Sequence, residues 1–334
     1  MFREMSITLT QLRSFLAVVR TGSVTGAADE LLVTQPSVSA AVTALSRELG
    51  VVLTERVGRS IRTSPAGEAF APYASDVIGL LGQGQRAAHE AASSAARQLR
   101  IAAVTTAAEH VVPPLMQAFS AVHPEIELTV EVGNRGTVFE CVEEHTADVA
   151  IGGRPPSHGR LVGEPFMENE IVLIGPPDDP LGERRSVSVH ELADRVWLLR
   201  EEGSGTRVMT EQFLASHELR PRVLTLGSNG AIKQASRAGL GVSLQSRPAV
   251  SLELEAGLLS ELHVQERLPK RQWYVLRAAT GPVREAVTTF MEFVERPEAR
   301  WAVEAARIST RSDRGPRTGG GQPETSMAEA SGTP

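Results

Sequence analysis

The chain has 334 residues, 41% of them apolar and 22% charged, an ordinary globular balance with length enough for two or three cores. Forty acidic residues against 34 basic ones give a formal net charge of −6, which argues against a whole-protein coat for nucleic acid. The single cysteine, Cys141, excludes an internal disulfide and reads as a buried, inert thiol. No apolar run is long enough to span a bilayer and the N-terminus lacks a signal-peptide core, so the chain is expected to be soluble and cytoplasmic.

Three short helical stripes come first. Leu9, Leu12, Phe15, Leu16 and Val19 repeat at helical spacing, then Val24, Ala27, Ala28 and Leu31, then Val38, Val42, Leu45 and Leu49. Helices this small can bury such stripes only against one another, which is the plan of a helix-turn-helix DNA reader over residues 24–43. Thr34 stands where an N-cap belongs, Pro36 suits a first helical turn, and Gly50 suits a left-handed end. Gln35, Ser37, Ser39 and Thr43 are left on or near the open face, with Thr34 and Pro36 beside them. Short hydroxyls and an amide at a helix N-terminus fit phosphates and base edges. Residues 51–62 read as a hairpin turning at Gly58, a wing that carries Arg56, Arg59 and Arg62 toward a phosphate backbone. The first 70 residues hold seven arginines against six carboxylates, so one head is only weakly basic and pairing of heads is expected.

Ser64 and Pro65 then open a long helix. Phe70, Ala74, Val77, Leu81, Gly84, Ala88, Ala91 and Ala95 form a narrow seam suited to pairing with another helix or, equally, to cover by the chain's own core, and Pro72 should kink it while Gly79, Gly82 and Gly84 weaken it. Beyond residue 97, strand-like runs (99–104, 125–132, 148–151, 170–175, 195–199, 273–277) alternate with helical ones (111–122, 203–217, 228–238, 283–293). Such alternation means parallel sheet layered with helices, here enough for two small α/β lobes. Ser188 with Glu191 makes a capping box. Ligands in open α/β sheets sit beyond the carboxyl ends of strands, where Thr105, Thr106, Asn134, Arg154, Glu202, Ser204, Thr206 and Asn229 fall. Several helix N-termini converging there would suit a small carboxylate or phosphate. No nucleophile motif and no His/Cys metal spacing is present, so no enzyme, metal centre or cofactor is expected.

Residues 9–68 resemble the winged helix-turn-helix domain of LysR-type transcriptional regulators. The matching strings are LRSFLAVVRTGS (12–23), AADEL (27–31), TQPSVS (34–39), LSRELG (45–50) and TSPAGE (63–68). Thr54 stands where the family usually has Phe, and Gly26 and Ala44 where it often has a basic residue. From about 97 to 293 the chain is similar to the family's effector domain. The strings WLLREEGSGTR (197–207) and GSNGAIKQ (227–234) resemble the branch that contains carbon-fixation operon regulators, although Gly230 stands where that branch often has an acid.

The resemblance implies an N-terminal all-α winged helix-turn-helix (7–64), a linker helix that pairs two chains (65–96) and a two-lobed α/β effector domain (97–296) similar to type 2 periplasmic solute-binding proteins. The lobes would comprise about 97–166 with 268–296, and about 167–267, joined near 166–168 and 262–268. A C-terminal helix (297–309) and a disordered tail (310–334) would follow. The implied function is a sequence-specific transcriptional regulator switched by a small anion between the lobes: a carboxylate, a sugar phosphate or a nucleotide. The implied partners are double-stranded DNA, RNA polymerase and further copies of the chain, in a homotetramer built as a dimer of dimers. The alternative is a cytoplasmic solute-binding protein with a degenerate DNA-binding head.

Overall fold

The computed structural model describes residues 6–57, 60–92 and 97–308. The hairpin turn at Gly58, wing residue Arg59, seam position Ala95 and the tail expected over 310–334 lie outside the described residues. In the head, α1 (Leu9–Thr21), α2 (Val24–Leu31) and α3 (Gln35–Leu49) bury Leu12, Phe15, Val18, Ala27, Ala28, Val38, Val42 and Leu45 together. Thr8 caps α1 and Gln11 returns a bond to the Thr8 N–H at 2.8 Å, which satisfies two N-terminal donors. Gly50 ends α3 at φ 71°, as its position suggested. Thr34 has the backbone of an N-cap but makes no cap bond, because its hydroxyl pairs with Ser37 Oγ at 2.8 Å instead. Strands β1 (Thr54–Val57) and β2 (Ser60–Thr63) pair antiparallel as the wing.

Helix α4 (Pro65–Ala92) is capped by Ser64, whose Oγ accepts the Gly67 N–H at 3.0 Å. The seam read from the sequence divides along this helix. Phe70 and Ala74 join the head's own core, whereas Val77 and Leu81 each remain 50% exposed. Gly79, expected only to weaken the helix, has a packing role. A Cβ there would lie 2.3 Å from the Glu144 carbonyl oxygen, so its absence lets α4 rest against the following domain.

That domain begins with β3 (Arg97–Val104), α5 (Thr105–His110), α6 (Val112–Val122), β4 (Ile126–Gly133), α7 (Arg135–Glu143), β5 (Val149–Gly152) and β6 (Leu161–Asn169). The chain crosses to a second lobe at Glu170 and builds β7 (Ile171–Gly175), a 3-10 turn capped by the Ser188–Glu191 box, β8 (Trp197–Arg200), α8 (Gly205–Ser216), β9 (Val223–Leu226), α9 (Asn229–Arg237), β10 (Ser243–Ser246), α10 (Arg247–Glu255) and β11 (Ser260–Glu261). It returns to the first lobe as β12 (Arg271–Ala278), α11 (Glu285–Glu295) and α12 (Pro297–Ile308).

The first lobe's sheet runs β4-β3-β5-β12-β6, with β3 parallel to β4 and β5 and the returning β12 antiparallel to β5 and β6. Leu115, Phe119, Phe290 and Phe293 pack on one face of it, Val138, Phe139 and Val142 of α7 on the other. The second lobe centres on Trp197, Phe213, Leu173 and Leu244. The crossover lies beyond the 166–168 stretch read from the sequence, because those residues belong to β6. Gly163 and Pro165 disguise that strand. It is the sheet's edge, and its register slips opposite Trp273 and Tyr274, where a proline is tolerated. Strand β9 and helix α10 also escaped the sequence reading. No helix among the described residues is long and apolar enough to cross a membrane.

The seat of α4 on the first lobe holds a buried histidine. His145 has no exposed side-chain surface, and its Nε2 lies 3.3 Å from Asp76 Oδ1 on α4. Arg160 bonds the same Asp76 at 3.1 Å, and Arg86 donates to the His145 carbonyl at 3.3 Å. Burial pushes the imidazole below its ordinary pKa, Asp76 opposes this, and Arg160 and Arg86 add to it; Glu143, the last residue of α7, and its cap Glu144 immediately precede it. A histidine whose pKa is depressed by folding binds its proton less readily folded than unfolded, so stability is lost as pH falls below the unfolded value of about 6.5. The melting-temperature advantage of the wild-type chain over His145→Asn, which also tolerates the left-handed φ of 58°, is therefore expected to shrink between pH 7 and pH 5.5. An advantage constant across that range would contradict this assignment.

Candidate effector site and DNA-reading face

Helix α3 buries Val38, Val42 and Leu45 and turns its other side out. Thr34, Gln35, Pro36, Ser37, Ser39 and Thr43 are all exposed. Gln35, Ser39 and Thr43, spaced by four, share one stripe at the end and side that the head leaves open. In the wing, Arg56 pairs across from Ile61 and Arg62 from Glu55. Side chains alternate across a strand, so Arg56 and Arg62 project from opposite faces of the hairpin and cannot grip one phosphate run together. Both are exposed.

A cleft of about 460 Å³, part of it open to solvent, lies between the lobes at the strand ends. From the first lobe it is lined by Thr105 and Thr106 after β3, Asn134 and Arg135 at the start of α7, and Arg271 and Trp273 on β12. From the second lobe come Arg200 at the end of β8 and Glu201 after it, Ser204, Gly205 and Thr206 at the start of α8, and Ser246 before α10. Three helices of nine residues or more thus present their N-termini here, through Asn134, Ser204 and Ser246. Asn134 Oδ1 accepts the Thr137 N–H at 3.0 Å and Ser204 Oγ the Thr206 N–H at 3.3 Å. These caps hold the turns in shape while the positive helix ends face the cavity.

Of the residues proposed from the sequence, Thr105, Thr106, Asn134, Ser204 and Thr206 line this cavity. Arg154, Glu202 and Asn229 do not. Arg154 is exposed at a neighbouring groove with Glu168, Lys270 and Gln272, and its carbonyl accepts from Arg135 Nη2 at 3.1 Å. Glu202 faces solvent, and its neighbour Glu201 takes the inward position. Asn229 is buried behind the cavity wall. Its Nδ2 donates to Thr106 Oγ1 and Glu109 Oε2, both at 3.1 Å, and its Oδ1 accepts from Arg200 Nη1. It therefore ties one lobe to the other.

Reasoning from the sequence missed the two side chains that define the charge of the site. Burial pushes the guanidiniums of Arg135 and Arg271 below their ordinary pKa, and Arg271 is lowered further by the charge of Arg135. No carboxylate among the described residues offsets either shift. Arg135 rests on the ring of Phe139, 4.5 Å from its centroid. Arg271 Nη2 fits against Gly153 and Gly205, where an added Cβ would come within 3.0 and 3.1 Å of it. The Trp273 indole N–H is buried without an acceptor among the described residues. Two cations without a counter-ion make a cavity that is under-satisfied without an anion. No cluster of His, Cys, Asp or Glu among the described residues could hold a metal ion. Burial pushes the Cys141 thiol up, which suppresses the reactive thiolate.

Comparison with known proteins accounts for both halves of the chain. Residues 9–68 match the family model "Bacterial regulatory helix-turn-helix protein, lysR family", and residues 92–297 match "LysR substrate binding domain". The RuBisCO operon transcriptional regulator of Allochromatium vinosum is 36% identical, over 89% of this chain and 98% of its own. The HTH-type transcriptional activator CmpR of Synechocystis is 33% identical, over 86% and 94%. Among solved structures, the Synechocystis CcmR regulatory domain in complex with 2-PG is 33% identical and covers 59% of this chain and 95% of that one, with a TM-score of 0.56. A full-length OxyR variant from Pseudomonas aeruginosa covers 88% and 96% at 24% identity, with a TM-score of 0.60, and shares the fold. A helix-turn-helix head whose third helix leaves one side exposed, joined to a two-lobed effector-binding domain and matched by regulators over nearly the whole chain, places this protein in the LysR family of bacterial DNA-binding transcriptional regulators.

Proposed function

We propose that this regulator is switched by a small anion, a carboxylate, sugar phosphate or nucleotide, bound in the cleft between residues 97–166 with 268–296 and residues 167–267. The observation that carries the reading is the pair of carboxylate-free guanidiniums, Arg135 and Arg271, set among three helix N-termini. The 2-PG complex of the CcmR regulatory domain supports it from a relative. Calorimetric titration of the full chain with 2-PG, inorganic phosphate and a neutral sugar tests it. Heat of binding with the two anions and none with the sugar is the expected result; no binding by either anion would refute it. Thr106→Val and Ser204→Ala each remove a hydroxyl that lines the cleft, and each is expected to weaken 2-PG about tenfold while leaving DNA affinity unchanged. Dose curves unchanged in both would move the pocket elsewhere.

On DNA, we assign base and phosphate contacts to Thr34, Gln35, Pro36, Ser37, Ser39 and Thr43, with Arg56 and Arg62 at the wing. Gln35→Ala and Ser37→Ala are expected to cost about 1–3 kcal/mol of specific binding each with the melting temperature unchanged, since both side chains are exposed. Gel-shift affinities equal to wild type in both would remove α3 as the reading helix. Identical chains pair through the exposed Val77 and Leu81 of α4 and assemble as a dimer of dimers on a two-fold site. RNA polymerase is the proposed further partner, with no enzymatic turnover and the cytoplasm, where the chromosome lies, as the compartment.

A further inference from the structure

Three arginines line the cleft, and only one of them is covered. Arg200 Nε donates to Glu201 Oε2 at 2.7 Å and its Nη2 to Glu201 Oε1 at 2.8 Å, the two-pronged grip that a guanidinium gives a carboxylate or a phosphate. Arg135 and Arg271, facing the same space, have no such partner among the described residues. We propose that Glu201 is a displaceable internal counter-ion, whose carboxylate occupies Arg200 until an incoming anion takes its place. The inference rests on the reading of the cleft as an anion site and adds what sets its threshold.

The two members of the pair differ in freedom. The Arg200 side chain is 4% exposed and is anchored from behind, through Nη1, by Asn229. Asn229 is itself fixed by Thr106 and Glu109 of the other lobe. The Glu201 side chain is 31% exposed and, apart from its own backbone, is bonded by Arg200 alone among the described residues, so it can swing toward solvent while the arginine stays. Burial alone would push the Glu201 carboxyl up, but the bonds from Arg200 and from its own backbone hold it below the ordinary carboxylate range. It therefore stays charged and competes at neutral pH. One guanidinium fork cannot serve two anions at once. A monoanion no stronger than the resident carboxylate gains little by exchange. A dianion that also engages Arg135 and Arg271 gains more, and the device thereby selects for charge.

The opposite role for Glu201 is to orient Arg200 for the ligand, and the two roles predict opposite signs. In calorimetric titrations of the full chain, Glu201→Gln keeps the size and removes the charge. It is expected to bind inorganic phosphate and 2-PG about tenfold more tightly than wild type, and to take up acetate more tightly than wild type does. Glu201→Asp, with a shorter reach to Arg200, should lie between them, and matching melting curves would confirm that all three chains are folded. Affinity in Glu201→Gln equal to or below wild type would overturn the proposal and leave Glu201 as an orienting partner. Binding of no anion by either chain would overturn the reading of the cleft itself, a result distinguishable from the first.

Discussion

Arg271→Met is expected to weaken 2-PG or phosphate binding about 100-fold, which corresponds to the loss of charge-assisted hydrogen bonds worth roughly 2–3 kcal/mol. The same substitution should leave the ligand-free chain as stable as wild type or more so. Arg271 is an under-paired cation: burial and the neighbouring Arg135 both disfavour its charged form, and no carboxylate among the described residues offsets them. Replacing such a group by an apolar chain of similar length removes a desolvation cost. Arg271→Lys keeps the charge but loses the planar fork, so its affinity should fall between the two. Titration calorimetry with thermal melts checks both halves. A melting temperature that drops by more than about 5 °C in Arg271→Met would mean that the arginine holds the fold together rather than waits for a ligand.

Asp148→Ala should have the opposite character, a large loss of stability. The Asp148 side chain is wholly buried at the start of β5. It accepts the Arg100 backbone N–H at 2.9 Å and Arg284 Nη2 at 2.6 Å, with Arg100 Nε at 3.7 Å. Arg284 also bonds Glu90 of α4 at 2.5 Å, so the carboxylate anchors the linker helix as well as the sheet. Removing it takes the wholly buried partner from Arg284, itself only 9% exposed, and leaves that charge to Glu90, so the loss should fall toward the low end of the about 3–5 kcal/mol that breaking a buried pair from one side costs. For a domain of this size the melting temperature should fall by roughly 10 °C. Asp148→Asn keeps an acceptor for the backbone N–H and should lose less. A melting temperature for Asp148→Ala within about 2 °C of wild type would show that the cluster is relaxed by solvent.

Much of the head was legible because it is built from local signals. The apolar period of three to four placed α1, α2 and α3, and the left-handed end at Gly50 followed from one residue type. The candidate ligand positions Thr106, Asn134 and Ser204 were legible for a related reason: each follows a strand and opens a helix, and α/β sheets put their clefts there. What escaped depends on distance along the chain. Arg135 and Arg271 share a cleft only because β12 returns from the second lobe and slots between β5 and β6, and no local pattern announces that. Glu201 and Glu202 are adjacent acids, and only the turn's conformation decides which faces inward. Gly79 reads as a flaw in a helix until the Glu144 carbonyl is found above it. In the linker seam, Phe70 and Val77 carry the same sequence signal, but the head covers the first and leaves the second open.

The proposed function requires one coupling between the two halves of the molecule, from an anion in the cleft to DNA on the head. The most direct test is fluorescence anisotropy of labelled DNA from upstream of the protein's own coding sequence. The pure full chain is titrated across a salt series, against scrambled competitor, with and without 2-PG. The expected binding resists the competitor, weakens as salt rises, and shifts its half-saturation when 2-PG is added to wild type but not to Arg271→Met. Specific binding that is the same with and without the anion, in a chain that calorimetry shows to be loaded with it, would contradict the coupling.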